Sequence, residues 1–250
     1  MSTKAIILAA GVGARLGAGS DDRPKALLQF GGASLLARHI EILTTAGVAE
    51  ISIGVGFRAD LIAAELRALS PSVPVRLVTN DRYRDGSMVT LWCMRHEMTG
   101  ADDILLMDAD VLYDRTMIAR LLTSDHADCL LYDGDFEPGN EPVKICVRDG
   151  RIVDFRKKIE TKFDHCGESV GFFRLSPGTA GALAARADDY VSAGRIDEPY
   201  EEAIRDLLLA APRGRFGYED VTGVPWVEID FPEDIARAQN EILPHISTVE

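Results

Sequence analysis

The 250-residue chain is 46% hydrophobic and 27% charged, ordinary for a globular protein with room for a generous core. Its 27 Lys and Arg stand against 40 Asp and Glu, a net charge of −13, which argues against nucleic acid or an anionic membrane as the main partner. No run approaches the ~18 apolar residues of a membrane span, and no basic segment precedes an apolar stretch at the start. A cytoplasmic chain without membrane insertion is therefore expected.

Ile6–Ala9 reads as a buried strand. It runs into a turn carrying Gly11, Gly13 and Gly17, with Arg15 and Lys25 nearby. Glycines let the backbone approach an anion closely, exposed N–H groups in such a turn form an anion-binding concavity, and fixed cations neutralise the remainder. A polyphosphate is the expected ligand. The spacing is not that of a Walker loop, which needs four residues between its first glycine and Gly-Lys-Ser/Thr. A dinucleotide fingerprint also fails: Leu16 stands at the third glycine position, and the next strand ends in Gly54-Val55-Gly56 with no acid for a ribose.

Further along, helices are expected over 35–46, 59–69, 86–98 and 116–122. Ser34 precedes the first of these and Gly47 follows it. Strands are expected over 50–55, 75–79 and 104–107, the last ending in Asp108. Such alternation predicts crossover units on a buried parallel sheet. Asp108 and Asp110 lie two apart at the end of the 104–107 strand, so both can face one site beyond the strand ends.

The second half changes character. Short strands are expected over 129–132, 143–147, 152–155 and 169–174, with Asp149-Gly150 as a two-residue hairpin turn. Helices over 178–192 and 200–209, a strand over 224–229 and a closing helix over 232–242 complete the chain. Asp230 ends that late strand and could hold a metal, cap the following helix, or both. The four cysteines (Cys93, Cys129, Cys146, Cys166) lack a C-x-x-C pair and read as reduced, mostly buried thiols. The five histidines show no metal spacing and read as structural or exposed. Asp133 to Lys144 mimics a calcium loop but has Pro138 and Lys144 at its critical positions.

The run L-A-A-G-x-G-x-R-L followed by P-K-x-L (Leu8, Ala9, Ala10, Gly11, Gly13, Arg15, Leu16, Pro24, Lys25, Leu27) resembles the signature of the MobA-like NTP transferases that activate phosphorylated sugars and alcohols. With the Asp108-Ala109-Asp110 strand end, Gly167-Glu168-Ser169-Val170-Gly171 and the Glu228-Ile229-Asp230 close, the chain looks most like the cytidylyltransferases for phosphocholine, aminoethylphosphonate or inositol phosphate. The likeness is loose between residues 175 and 220. It implies an α/β fold: a Rossmann-like, mixed, mainly parallel sheet flanked by helices, of the glycosyltransferase-A-like nucleotidyltransferase kind, with a small β-hairpin lobe. One domain over 1–250 is expected, with a nucleotide-binding half (1–125) and an acceptor-binding half (126–250) that supplies the second metal ligand.

The same resemblance implies roles. Lys25, Arg15 and Asp110 are the catalytic candidates, and Asp110 and Asp230 the Mg²⁺ ligands. The nucleotide candidates are Leu8, Ala9, Ala10, Gly11, Gly13, Arg15, Lys25, Asn80, Gly86, Ser87 and Asp108. Asn80, Ser87 or a backbone carbonyl could accept the exocyclic amine of cytosine. Lys144, Glu168, Tyr200 and Glu201 are the acceptor candidates, whereas Lys157 and Lys158 read as a solvated face. Tyr83, Trp92, Tyr132, Tyr200, Tyr218 and Trp226 are the aromatics that could surround a quaternary ammonium. The expected substrates are CTP, or another NTP, and a small phosphorylated acceptor; a homodimer is compatible with the sequence. The alternatives are a UTP- or dTTP-dependent sugar-1-phosphate nucleotidyltransferase and a sugar-nucleotide-dependent glycosyltransferase.

Overall fold

The computed structural model describes residues 2–16, 23–136, 139 and 142–247; Gly17, Glu137, Pro138 and Glu141 lie outside the described residues. Strand β1 (Thr3–Ala9) enters the glycine turn, and a small ribbon, β2 (Gln29–Phe30) and β3 (Ala33–Ser34), follows. Helix α1 (Leu35–Thr45) starts at Ser34, whose hydroxyl accepts the Ala37 N–H at 3.0 Å. Then come β4 (Glu50–Val55), α2 (Ala59–Leu69), β5 (Val75–Thr79) and α3 (Ser87–Cys93). The expected 86–98 helix is shorter as an α-helix, because its last turn, Met94–His96, tightens to a 3₁₀ turn.

Next are β6 (Asp103–Asp108), β7 (Val111–Tyr113), α4 (Thr116–Thr123) and β8 (Asp128–Asp133). The hairpin β9 (Lys144–Arg148) and β10 (Arg151–Arg156) turns at Asp149 and Gly150, both with left-handed backbone (φ 51° and 67°). That is the conformation a two-residue hairpin demands. Strand β11 (His165–Leu175), helices α5 (Pro177–Ser192) and α6 (Glu201–Ala210), strands β12 (Phe216–Asp220) and β13 (Trp226–Glu228), and helix α7 (Pro232–Arg237) complete the described elements. The expected closing helix is regular only to Arg237 and widens into a π turn over Ala238–Ile242.

The main sheet runs β10-β9-β11-β6-β1-β4-β5, with β8 beside β11 and β12 beside β8. Strands β6, β1, β4 and β5 are mutually parallel, and β11 is antiparallel to β6. Helices α1, α2 and α4 cover one face and α3, α5 and α6 the other. The chain leaves β1 toward β4 and β5, then returns to β6 on β1's opposite side. The crevice beyond Ala9 and Asp108 is therefore the topological switch point, where ligands of open α/β sheets bind.

Strands β7, β12 and the β2–β3 ribbon were not foreseen from the sequence. The first is three residues inside an apparent loop, and β12 (FGYED) lacks an apolar run. Ribbon β7–β13 rests on a separate cluster of Leu16, Phe30, Leu35, Leu112, Val227 and Ile229.

Candidate active site

Lys25 lies in a 3₁₀ turn, Lys25–Leu27, that follows Pro24 and is pinned by buried Ala26 and Leu27. Its Nζ donates to Asp110 Oδ2 at 2.9 Å and to Asp230 Oδ1 at 2.7 Å. Burial pulls its pKa down, but the two carboxylates outweigh burial and hold it well above the usual lysine value. Arg15 contacts Asp230 Oδ2 at 3.2 Å and lies 5.6 Å from the centre of the Phe231 ring. Burial would raise Asp230, yet Lys25 and then Arg15 hold it below the ordinary carboxylate value. Gly13 has φ +65°, and a side chain there would meet Lys25 Cγ at 3.1 Å; open space lies where a Cβ on Gly11 would be. The turn thus leaves the lysine and an approaching anion room.

Two acids 120 residues apart in the chain meet because β7 pairs with β13, setting Val111 opposite Glu228, while the Ile229 N–H donates to the Asp110 carbonyl at 2.9 Å. Asp234 takes over the helix start: its Oδ2 accepts the N–H groups of Asp230 and Phe231 at 2.9 and 2.7 Å. The Asp230 carboxylate, one residue before the N-cap, is thereby left to Lys25 and Arg15. Glu228 joins them, and carboxylate oxygens of Asp110, Glu228 and Asp230 lie within 4.8 Å of one another. Burial first, then Asp110 and Asp230, raise the Glu228 pKa well above its usual value. The sequence reading noted the E-I-D string but assigned only Asp230; alternation along β13 was the signal that places Glu228 on the same side.

Asp108 faces a different neighbourhood. Its Oδ2 accepts the Tyr200 hydroxyl at 2.8 Å, and its pKa is raised by burial and then by Asp110, Glu201 and Glu228. Strand β11 bulges between Ser169 and Phe173, and Gly171, at φ +78°, lies in the bulge; a side chain there would strike Asp108 Oδ2. Glu201 Oε2 is shielded from water and has no hydrogen-bond partner among the described residues, and burial raises its pKa.

His39 is a functional candidate that the sequence concealed. Fully buried, it lies 3.2 Å through Nε2 from the Ala109 carbonyl and 3.2 Å through Nδ1 from the Tyr113 hydroxyl. A carbonyl only accepts, so Nε2 carries the proton and Nδ1 accepts from Tyr113. Burial pushes its pKa down to about 4. The imidazole thus fixes the peptide between Asp108 and Asp110.

The remaining candidates divide. Leu8, Ala9 and Ala10 close β1, the Ala10 carbonyl accepting the Phe57 N–H at 3.0 Å. Asn80 is 1% exposed; its amide donates to Thr90 Oγ1 at 3.0 Å and accepts the Arg82 N–H at 2.9 Å. Gly86 abuts the Ile196 carbonyl, and Ser87 Oγ accepts the Tyr200 N–H at 3.1 Å, so this segment buttresses the start of α6. Lys144 Nζ donates to the carbonyls of Gly139, Pro142 and Lys157, tying loops of the hairpin lobe. Glu168, opposite both Lys144 and Asp133, has its pKa raised to about 7 by burial and then by Asp133. Lys157 is half-buried rather than on a fully solvated face, and its charge lowers both Asp230 and Glu201.

The aromatics do not form one cage. Trp92 donates to Asp188 at 2.6 Å, Tyr83 packs near Phe57, Tyr132 meets Tyr218 in a tilted contact with ring centres 5.0 Å apart, and Trp226 donates to Asp133 at 2.7 Å.

The family profile described as MobA-like NTP transferase domain matches residues 5–160. Choline-phosphate cytidylyltransferase of Streptococcus pneumoniae is 35% identical over 162 residues, 60% of this chain and 67% of that protein. CMP-5′-(3-aminopropyl)phosphonate synthase of Streptomyces rubellomurinus is 23% identical over 246 residues, 96% of this chain and 39% of that protein. The chain spans about half or less of the length of the curated relatives that it matches nearly end to end. Among solved structures, a CTP:phosphocholine cytidylyltransferase from Streptococcus pneumoniae superposes with a TM-score of 0.77 at 25% identity, covering 96% of this chain and 98% of that one.

Proposed function

We propose that this chain, which belongs to the MobA-like NTP transferase domain family, transfers CMP from CTP to the phosphate or phosphonate of a small alcohol or aminoalcohol, releasing pyrophosphate. The observation that carries the reading is the clasp of Lys25 between Asp110 and Asp230 at the mouth of the glycine turn, at 2.9 and 2.7 Å. It joins a cation for phosphate oxygens to an oxygen-only acid cluster in the crevice where the fold binds ligands. Relatives named for CTP-dependent transfer to choline phosphate and for synthesis of a CMP-phosphonate support CTP and a phosphorus-bearing acceptor.

Residues 1–125 are assigned the nucleotide and 126–250 the acceptor. The turn from Gly11 to Arg15 holds the departing pyrophosphate. An oxygen of the acceptor, already ionised near neutral pH, attacks the α-phosphorus; one P–O bond forms and the bond to the β-phosphate bridging oxygen breaks. No general base is needed. Lys25 is aimed at the charge developing on the reacting phosphate, the kind of positioning that dominates phosphoryl-type transfer. Asp110, Glu228 and Asp230 form a donor set suited to a hard divalent cation such as Mg²⁺, which would neutralise nucleotide phosphate charge. Asp108, Glu168, Tyr200 and Glu201 line the acceptor side. Asn80 and Ser87 are held by Thr90, Arg82 and Tyr200, so backbone carbonyls of the 80–87 segment are the natural readers of the cytosine amine.

The test is pyrophosphate release with CTP, UTP, dTTP, ATP or GTP against phosphocholine, 2-aminoethylphosphonate, inositol 1-phosphate and glucose 1-phosphate. Release confined to CTP with one of the first three is expected. Release with UTP or dTTP and glucose 1-phosphate would replace the reading with sugar-1-phosphate activation. Tight sugar-nucleotide binding without any release would replace it with glycosyl transfer.

A further inference from the structure

A groove of about 260 Å³ opens between the β9–β10 hairpin, the C-terminal end of α6 and the turn into β12. Ile152, Leu208 and Phe216 give it an apolar floor, Arg148, Arg151 and Arg213 line it, and no Asp or Glu does. That is unexpected in a chain whose acids outnumber its bases 40 to 27. Three other arginines of the second half are matched: Arg205 with Asp154 at 2.6 Å, Arg156 with Glu202 at 3.1 Å, Arg195 with Glu198 at 2.9 Å. None of the three groove arginines pairs with a carboxylate among the described residues; Arg148 donates only to the Lys162 carbonyl, at 3.2 Å. The neighbouring Asp164 carboxylate is turned to the Asp149 N–H at 2.9 Å, holding the hairpin tip.

Arg148 and Arg151 are moreover directly opposite each other across the β9–β10 ladder. Like charges at such a position repel and destabilise a hairpin. The fold gains no ion pair from these arginines, only the Arg148 bond to the Lys162 carbonyl, whereas a phosphate gains charge-assisted, often bidentate hydrogen bonds from all three. The volume is below the ~300–1,000 Å³ of typical ligand pockets, too little for a whole nucleotide. The groove also lies at the far end of α6 from Tyr200 and Glu201, about 15 Å along a ten-residue helix.

We propose that this groove is a second binding site, separate from the Lys25 crevice, for a small molecule that carries a phosphate or phosphonate on a short apolar body. The anion lies among Arg148, Arg151 and Arg213, and the body rests on Phe216 and Leu208.

Phenyl phosphate is the probe, followed by backbone amide NMR of the whole chain. Saturable shifts at Leu209, Gly214 and Phe216 are expected, separate from any at residues 11–15, and phenol should give none. In Arg151→Ala/Arg213→Ala the groove affinity should fall about tenfold or more, while shifts at residues 11–15 stay as they were. Arg151→Lys/Arg213→Lys should recover part of the loss. Without the probe, the alanine pair should be at least as stable as the natural protein. Absence of saturable groove shifts, unchanged groove affinity in the alanine pair, or a clear loss of its stability without the probe would each overturn the proposal.

Discussion

Asp110 and Asp230 face cations, whereas burial dominates at Asp108, Glu201 and Glu228. At the first place Lys25 and Arg15 neutralise the acids, and Asp230 is held below its ordinary pKa despite burial. At the second, burial is the largest cause that raises all three acids, with Asp110 adding to the rise at Asp108 and Glu228, and Glu202 to that at Glu201. The Tyr200 hydroxyl at Asp108, a backbone hydrogen bond and then Lys157 at Glu201, and Lys25 at Glu228 oppose the rise. The two regions share the segment Asp108-Ala109-Asp110, so one short strand end serves both a balanced and an unbalanced electrostatic environment. The balanced region pairs its charges within the fold. The unbalanced one is costly until something positive or proton-bearing arrives, a property suited to a binding wall.

The largest expected effect tests the balanced region. Lys25→Ala should lower kcat by about 10²- to 10³-fold, the usual loss when one charge-stabilising donor is removed. Circular dichroism should show the fold retained. An intact fold with near-normal turnover would remove Lys25 from the reaction and with it the basis of the comparison.

His39 tests the segment that both regions share. Its pKa falls from 6.5 to about 4 on folding, so the folded state binds fewer protons than the unfolded chain between those values. His39 therefore favours folding above pH 6.5, and that contribution is lost as pH falls toward 4, by about 3 kcal/mol in all. Urea unfolding across this window should show the slope in the natural protein. His39→Gln should lack the His39 part of it while keeping a donor for the Ala109 carbonyl and most of the turnover. His39→Phe should lose both the slope and about tenfold in kcat, since a buried carbonyl and hydroxyl lose their partner. Equal turnover in the two variants would confine His39 to a packing role.

Glu168 extends the test to the acid-rich side. Its pKa rises from 4.5 to about 7, so the folded state holds the proton more tightly. The stability tied to this proton is complete below pH 4.5 and is lost as pH rises through 7. Glu168→Gln should therefore stabilise the protein at pH 8 by about 1–3 kcal/mol and by nothing measurable at pH 4.5. It should also raise the acceptor KM if Glu168 meets the acceptor. A gain independent of pH would show that charge burial is not what Glu168 contributes.

The balanced region was largely legible in the chain. Glycines, Arg15, Pro24 and Lys25 occupy 15 consecutive positions, and a turn built locally shows itself in local sequence. The Asp108-x-Asp110 strand end was legible for the same reason. Alternation sets Glu228 on the side of Asp230, but that this side meets Asp110 depends on the three-residue pairing of β7 with β13, which the sequence does not show. His39 escaped because a buried histidine on a helix carries no signal of which carbonyl lies above it; only the packing of α1 under the strand end supplies Ala109. The reading of Lys157 as solvated missed in the same way, since its nearness to Asp230 and Glu201 is a tertiary fact. Gly167 and Gly171 stood out as glycines, but their reasons, the Tyr132 ring and the Asp108 carboxylate, come from strands remote in sequence.

Arg15 gives the smallest expected effect and the sharpest contrast with Lys25. Both bind Asp230, but the Arg15 side chain is 47% exposed against 14% for Lys25. An ion pair so open to water and salt contributes at most about 1 kcal/mol to stability. Arg15→Ala should therefore leave urea stability nearly unchanged. If Arg15 meets the nucleotide phosphates, it should raise the KM for CTP several-fold at low salt, with a smaller change in kcat, and the difference should shrink as salt screens the natural protein's advantage. A kcat loss matching that of Lys25→Ala would mean that both cations act on the reacting phosphorus, and the division between a holding turn and a reacting lysine would give way to a single two-cation clamp.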